Sequence, residues 1–378
     1  MRPLTRLPVA AGHTAVLEGL RSAFAGGPAV FVGSGAAGAD ATPPPAEVPQ
    51  HVGLVVETSG TTGRPKRVVL PADAVLASAA ASESALGGPA QWVLALPVNY
   101  IAGLNVLARS LCAQLDPVAV EGDRFSAAAF VEATGRLVVP ERATALVPAQ
   151  LATLLDDPAA RDALRGFQAV LVGGQATPSG LAERAREAGI RVVRSYGSSE
   201  TSGGCVYDGH PIGTTHVRVH DGEVQLSGPT LADGYLDDPQ LTAERFIESD
   251  GARWFRTADA GEWRDETLRV LGRLDDVIVS GGLKVALSAI EEALRSQPGF
   301  ADVVVVSVAH ARWGERPVAV AAGPEVDDQA ALAAVADALG AVGRPERVVR
   351  VAALPVLPNG KVDRREATRL AGAPGEPQ

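Results

Sequence analysis

Between residues 29 and 194 short runs of Val, Leu and Ala recur between amphipathic stretches of helical length, and no other feature limits the fold as much. Residues 54–56, 92–96, 145–147, 169–172 and 192–194 read as buried strands. Residues 74–86, 102–112, 126–134, 149–155 and 179–188 read as helices. A strand buried on both faces shows a continuous apolar run, and its partner helices supply the amphipathic stretches. The alternation therefore predicts an α/β fold with parallel sheets. Residues 1–50 add a helix at 14–24, a strand at 29–32 and the connector Thr42-Pro43-Pro44-Pro45. From about residue 211 to 270 the texture changes to short strands and Gly/Asp turns. Beyond it, a helix at 287–296, strands at 303–308 and 318–322 and a helix at 329–339 predict a small α+β domain. The expected division is a large α/β domain over 1–272, a hinge at 273–275 and a smaller domain over 276–378.

Hydrophobic residues are 46% of the chain and charged residues 21%, enough apolar material for a large core. The net charge of −10, with no basic tract, excludes a general nucleic-acid binder. No apolar run reaches the roughly 20 residues of a membrane span, so no membrane insertion is expected. Neither end reads as a secretory signal, and the two cysteines, Cys112 and Cys205, form no metal or redox motif. A cytoplasmic protein is the expectation; a homodimer stays open.

Gly33-Ser34-Gly35-Ala36-Ala37-Gly38 fits the spacing of a dinucleotide-binding turn. That turn must open a helix, and Pro43–Pro45 leave no room for one, so the stretch reads as a glycine loop. Glu57-Thr58-Ser59-Gly60-Thr61-Thr62-Gly63-Arg64-Pro65-Lys66 is more informative. Its glycines let backbone N–H groups approach phosphate oxygens, its hydroxyls add donors, and Lys66 adds charge. It is not a Walker A loop, because a proline precedes the lysine and no hydroxyl follows it.

This segment resembles the phosphate loop of the adenylate-forming superfamily of acyl-CoA synthetases, peptide-synthetase adenylation domains and luciferases. Further segments resemble that superfamily's motifs in order: Gly173-Gly174-Gln175, Ser195-Tyr196-Gly197-Ser198-Ser199-Glu200-Thr201, Gly228-Pro229, Gly234-Tyr235-Leu236, Trp254–Asp259, Gly272–Asp276 and Leu357–Arg364. Only three lysines occur, Lys66, Lys284 and Lys361, and each falls in or beside one of these motifs.

The resemblance implies an AMP-binding N-terminal domain with a shortened leading part and a mobile C-terminal catalytic domain pivoting on Asp275. It implies that Thr58, Ser59, Gly60, Thr61, Thr62, Gly63 and Lys66 hold the ATP phosphates. Gly174, Gln175, Tyr196, Gly197 and Thr201 would line the nucleotide site, Glu200 would hold Mg²⁺, and Asp259 and Arg273 would take the ribose. Ala258 stands where the superfamily has glycine. Lys361 would bridge the acid's carboxylate and the α-phosphate. No general base is needed, because a carboxylate is already ionised at neutral pH. Ser280, Gly281, Gly282 and Lys284 would then meet CoA.

The compact chain, with Leu96–Leu104 and Ser199–Gly209, resembles the o-succinylbenzoate–CoA ligases of menaquinone biosynthesis. That family usually has a histidine near Asn99. The resemblance implies ATP and CoA as co-substrates and 2-succinylbenzoate as the acid, with Asn99, Tyr100, Gly173, Ser202, Gly203 and Gly204 as candidates to hold it. Three alternatives remain: another acyl- or aryl-CoA ligase, an adenylation enzyme loading a carrier protein, and a degenerate binding module. An amino-acid-activating domain would want an aspartate soon after residue 148, and none occurs before Asp156. Intact Lys66, Glu200, Asp259 and Lys361 oppose the degenerate module.

Overall fold

Ala, Val and Phe fill the strand Ala29–Gly33 so completely that all of its residues are buried, as a strand covered on both faces requires. In this computed structural model, residues 1–33, 43–58, 66–122, 124–357 and 362–372 are described. They divide into two compact units. One comprises Met1–Arg218, Gln225–Thr257 and Asp265–Leu268; the other comprises Val219–Val224, Ala258–Arg264 and Arg269–Gln378.

The larger unit holds two sheets. The first runs Gly234–Tyr235, Lys66–Pro71, Val52–Thr58, Ala29–Gly33, Arg2–Pro8, Glu47–Val48. Its centre is parallel, Arg2–Pro8 with Ala29–Gly33 and Ala29–Gly33 with Val52–Thr58, and its flanks are antiparallel. The second runs His210–Pro211, Gly203–Tyr207, Val192–Ser198, Ala169–Gly173, Arg142–Leu146, Gln91–Leu94, Val118–Ala119. Its last five strands are mutually parallel, as the apolar runs predict, and its first two are antiparallel. The sheets are thus mixed rather than wholly parallel.

The helices Gly12–Phe24, Ala72–Leu86 and Ile101–Ala113 share one core with both sheets, joining Val16, Leu20, Val30, Leu54, Val75, Leu104, Trp92 and Leu171. The far face of the second sheet is covered by Ala127–Gly135, Pro148–Asp156 and Pro158–Arg165, around Phe130, Leu151, Leu154, Leu164 and Val170. Phe130 stacks on Phe167 with ring centroids 5.8 Å apart.

A third sheet runs His216–His220, Glu223–Ser227, Ala252–Arg264, Phe246–Ser249, with Thr267–Arg273 on Ala252–Arg264; its strands supply residues to both units. The smaller unit has its own sheet, Leu283–Ala286, Val277–Ser280, Gly314–Ala322, Asp302–His310, with Val348–Val351 parallel to Gly314–Ala322. Along Asp302–His310 the side chains alternate between two cores. Val303 and Val305 face the helices Leu287–Arg295 and Asp328–Leu339. Val304 and Val306 face Arg364–Gly372. This is the two-residue period of a strand covered on both sides. Among the described residues no helix is long and apolar enough to cross a membrane.

Several elements escape the sequence reading, Pro158–Arg165, Gly203–Tyr207 and Pro239–Arg245 among them. The strand Arg2–Pro8 carries prolines at both ends, Lys66–Pro71 follows the phosphate-loop segment directly, and Arg364–Gly372 has an arginine-rich outer face. The glycine stretch after Gly33 lies outside the described residues.

Candidate functional site

The parallel strands of the second sheet end in the segments that carry the motifs. In such sheets the carboxyl ends of the strands form the binding crevice. Gln91–Leu94 leads to Asn99 and Tyr100, Ala169–Gly173 to Gly174 and Gln175, and Val192–Ser198 to Glu200 and Thr201. Gly173 pairs with Ser195 across the sheet. A Cβ at Gly173 would lie 2.8 Å from the Ser195 carbonyl oxygen, so only glycine fits there.

After Ser198 the chain makes one tight turn, Ser199–Thr201, and returns as Gly203–Tyr207. Backbone contact holds the reversal closed. A Cβ at Gly197 would stand 2.1 Å from the Gly203 carbonyl oxygen. The fully buried Thr201 hydroxyl accepts the Ser198 N–H at 2.9 Å and donates to the Gly203 carbonyl at 2.7 Å. Ser202, at φ 52°, donates its hydroxyl to the Thr230 carbonyl at 2.8 Å. Its own carbonyl accepts from Ser78 Oγ at 2.9 Å and Asn105 Nδ2 at 2.8 Å. Thr201 thus spends its hydroxyl on the turn itself, and Ser202 spends its own on the Thr230 carbonyl. Tyr196, half-buried, sits opposite Val206.

This turn aims Glu200. Its backbone carbonyl accepts the Ala232 N–H at 2.8 Å, and its Oε1 accepts the Tyr235 hydroxyl at 2.9 Å. Burial pushes the Tyr235 phenol far above its ordinary pKa, and the neighbouring Glu200 carboxylate adds to the rise. The hydroxyl is therefore a permanent donor. The Lys66 ammonium lies 5.6 Å from the centroid of the same ring, within cation–π range. Lys66 opens the strand Lys66–Pro71, directly opposite Thr58, whose hydroxyl donates to the Lys66 carbonyl at 3.4 Å. Lys66, Tyr235 and Glu200 are so brought together. Ser59, Gly60, Thr61, Thr62 and Gly63 lie outside the described residues.

After the strand Gln91–Leu94, Asn99 is buried, and burial raises the Tyr100 pKa against the lowering effect of the Asn99 side chain. Gly203 takes φ 96°, a conformation that favours glycine. A Cβ on Gly203 would meet Asn105 Nδ2 at 1.9 Å, and one on Gly204 would meet Ser195 Oγ at 1.9 Å. One helical turn past Asn105 stands Arg109, 5% exposed. Its guanidinium lies 5.0 Å from the Trp92 ring centroid, and Nη2 donates to the Tyr207 hydroxyl at 3.4 Å. Its buried Nε has no partner, and no carboxylate pairs with it among the described residues. The Tyr207 hydroxyl also shares a hydrogen bond with Ser82 Oγ at 2.7 Å. Sequence reasoning passed over Arg109 because it lies outside the motifs. Its signal was there: it is the one charge in the helix Ile101–Ala113.

In the smaller unit, Arg273 Nη1 lies 3.6 Å from Asp259 Oδ1. Ala258 sits in the left-handed region at φ 61°, and its N–H donates to the buried Glu223 Oε1 at 3.0 Å. A side chain costs about 1–2 kcal/mol in that conformation, which explains a glycine preference here. Ser280, Gly281 and Gly282 make the reversal between Val277–Ser280 and Leu283–Ala286. Both glycines have positive φ, 58° and 85°, as a two-residue hairpin turn requires. Lys284 pairs with Val279 in register. The side chains of Asp275 and Lys284, and Lys361 with its flanking residues 358–360, lie outside what is described. The base of that segment is a bridge between Val356 and Val362, reinforced by Asp363 N–H to the Pro355 carbonyl at 2.8 Å.

Two family models match the chain: AMP-binding enzyme over residues 14–236, and AMP-binding enzyme C-terminal domain over 289–361. A probable 2-succinylbenzoate–CoA ligase of Mycobacterium tuberculosis is 42% identical over 332 residues, covering 85% of each chain. Among solved structures, a variant of Escherichia coli MenE with bound OSB-AMS superposes with a TM-score of 0.71 at 26% identity. It covers 91% of this chain and 76% of that one. The o-succinylbenzoate CoA synthetase (MenE) of Bacillus subtilis, in complex with the acyl-adenylate OSB-AMP, shares the fold. Its TM-score is 0.74 at 24% identity, over 96% of this chain and 82% of that one.

Proposed function

The chain belongs to the AMP-binding enzyme family, and we propose on that premise that it joins 2-succinylbenzoate to CoA at the expense of ATP. The products are 2-succinylbenzoyl-CoA, AMP and pyrophosphate, a step of menaquinone synthesis. The observation that carries this reading is the meeting of Lys66, Tyr235 and Glu200 at the carboxyl ends of the parallel strands, together with a buried cation, Arg109, that no carboxylate pairs with among the described residues. The first group suits a nucleotide's phosphates. The second suits an acid with a second carboxylate, and 2-succinylbenzoate has two.

The reaction joins two anions, so charge must be neutralised and the reactants aligned. The succinyl carboxylate oxygen bonds to the α-phosphorus and the bond to pyrophosphate breaks. Lys66 and the hydroxyl loop Thr58–Thr62 would hold the β- and γ-phosphates, with Lys361 between the carboxylate and the α-phosphate. Gly174, Gln175 and Tyr196 would border the adenine, and Asp259 with Arg273 the ribose. Glu200 fits Mg²⁺: it is a single hard carboxylate, held through Oε1 by the Tyr235 hydroxyl at 2.9 Å. That is the donor set of an ion taking its other ligands from phosphates and water. When bound, Mg²⁺ supplies charge neutralisation to the leaving pyrophosphate.

In the second half-reaction the CoA thiolate attacks the acyl carbon and AMP leaves. For this the segment 276–378 would turn on the hinge 273–275 about Asp275 and present Ser280–Lys284. Use of ATP and CoA supports a cytoplasmic location.

Pyrophosphate release across a panel of acids, with and without CoA, tests the reading. Release should depend on 2-succinylbenzoate, and thioester should appear by mass spectrometry only with CoA. Adenylate without thioester would favour a carrier protein as acceptor. Faster turnover of a simple benzoate or a fatty acid would overturn the acid assignment.

A further inference from the structure

Tyr235 is held more firmly than a packing residue needs. Its backbone pairs with Val68 in the strand that Lys66 begins, and its N–H donates to Thr242 Oγ1 at 2.9 Å. Its ring lies edge-on to Phe246 with centroids 6.0 Å apart, and only 7% of it is exposed. Gly234 makes this possible, since a Cβ there would stand 2.3 Å from Thr242 Cγ2. Every one of these contacts would be made equally well by phenylalanine. Only the hydroxyl is left to explain, and it goes to one oxygen of Glu200 at 2.9 Å.

We infer that Tyr235 is a positioning residue for the metal-bound nucleotide. Its hydroxyl fixes Oε1 of Glu200 and so leaves Oε2 as the single oxygen offered to Mg²⁺, while its ring face seats the Lys66 ammonium. The inference rests on the proposed nucleotide-activating role of Glu200.

A free glutamate has three side-chain torsions to order before it can hold an ion, and it can also bind through both oxygens. A donor on one oxygen removes most of that freedom. Mg²⁺ tolerates little departure from octahedral geometry and dehydrates reluctantly, so a pre-aimed single oxygen suits it. One rigid ring thereby couples the orientation of a cation and of an anion that act on the same phosphates.

The test is ATP binding to the full chain by titration calorimetry, for wild type, Tyr235→Phe, Glu200→Gln and the double variant, each with Mg²⁺ and with EDTA. Loss of an outer partner of a metal ligand costs roughly tenfold to a hundredfold in affinity or activity. Tyr235→Phe should therefore weaken ATP binding about tenfold with Mg²⁺ and leave binding in EDTA unchanged. In the Glu200→Gln background, removing the Tyr235 hydroxyl should add nothing. Equal weakening in both conditions would assign Tyr235 to the nucleotide or to Lys66 alone and overturn the inference. So would unchanged or tighter binding with Mg²⁺. A thermal melt accompanies each titration, and the EDTA arm reports a damaged fold as lost binding in both conditions. If wild type binds ATP no better with Mg²⁺ than with EDTA, the proposed role of Glu200 fails first, and the two failures are distinguishable.

Discussion

Arg109 offers a case where stability and function should move in opposite directions on substitution. It is 5% exposed, its Nε is unpaired, and its polar contact is a long hydrogen bond to the Tyr207 hydroxyl at 3.4 Å. An unsatisfied buried donor costs about 1–3 kcal/mol. Against that stands the Trp92 ring 5.0 Å away, a desolvated cation–π contact of about 2 kcal/mol. The two nearly cancel before the cost of desolvating the charge itself is counted. Methionine has similar reach, is unbranched and is accepted in helices. Arg109→Met should therefore leave the urea midpoint of the larger unit unchanged or raise it.

The expected effect on the acid is the reverse. Breaking a buried ion pair by removing one partner costs about 3–5 kcal/mol, and 1.4 kcal/mol is a factor of ten. For 2-succinylbenzoate, kcat/KM of the adenylation half-reaction, followed by pyrophosphate release, should fall about 10²–10³-fold. 3-Benzoylpropionate lacks the ring carboxylate and should lose little, so the two acids become nearly equal substrates. The reasoning would be refuted by a variant several kcal/mol less stable that keeps wild-type preference for the dicarboxylate. Arg109 would then be a structural cation stacked on Trp92.

Three further outcomes follow from the geometry. Gly197→Ala puts a Cβ 2.1 Å from the Gly203 carbonyl oxygen and must open the turn that aims Glu200; adenylation should fall roughly 10²-fold, as an ångström-scale misplacement does, with the far-UV spectrum retained. Glu291 is 5% exposed and joins Arg364 at 2.6 Å, Arg295 at 3.0 Å and the Val305 N–H at 3.0 Å. Glu291→Gln should destabilise the smaller unit by about 2–3 kcal/mol, the buried-pair figure reduced because both arginines are partly exposed, read as a lowered urea midpoint. Burial pushes the Cys205 thiol up to about 12, against about 8.5 in an unfolded chain. A raised folded pKa gives a contribution complete below about pH 8.5 and lost as pH rises toward the folded value. Cys205→Val should therefore flatten the alkaline loss of stability, and native protein at pH 8 should yield to Ellman's reagent no thiol other than Cys112.

The parallel strands of the second sheet and their helices were legible because burial on both faces forces a continuous apolar run, as in Ala169–Gly173. Arg2–Pro8 was not legible. One of its residues, Arg2, is buried, and two prolines break the strand pattern. Lys66–Pro71 begins where the phosphate-loop motif ends, and the sequence reading assigns that segment no element. The mixed character of both sheets depends on chain reversals at Ser199–Thr201 and between Thr58 and Lys66, and apolar periodicity carries no strand direction.

The motif residues themselves separate by what their polar atoms do. Reading Thr201, Ser202, Gly203 and Gly204 as ligand contacts assumes that a polar or glycine-rich motif faces its ligand. Here the two hydroxyls bond the turn's own backbone and the Thr230 carbonyl, and Gly203 takes the positive φ of 96° that the return strand needs. These positions build the reversal that aims Glu200, and the same residue types would stand there whatever acid were bound. Discrimination must then come from side chains that the turn does not consume. Among the described residues of the larger unit the candidates are Arg109, buried with its Nε short of an acceptor, and Asn99 with Tyr100. A motif fixes the reaction because phosphate chemistry needs one backbone shape. On the proposed reading the acid would be chosen by residues such as Arg109 on a neighbouring helix, where a change of specificity would leave that shape intact.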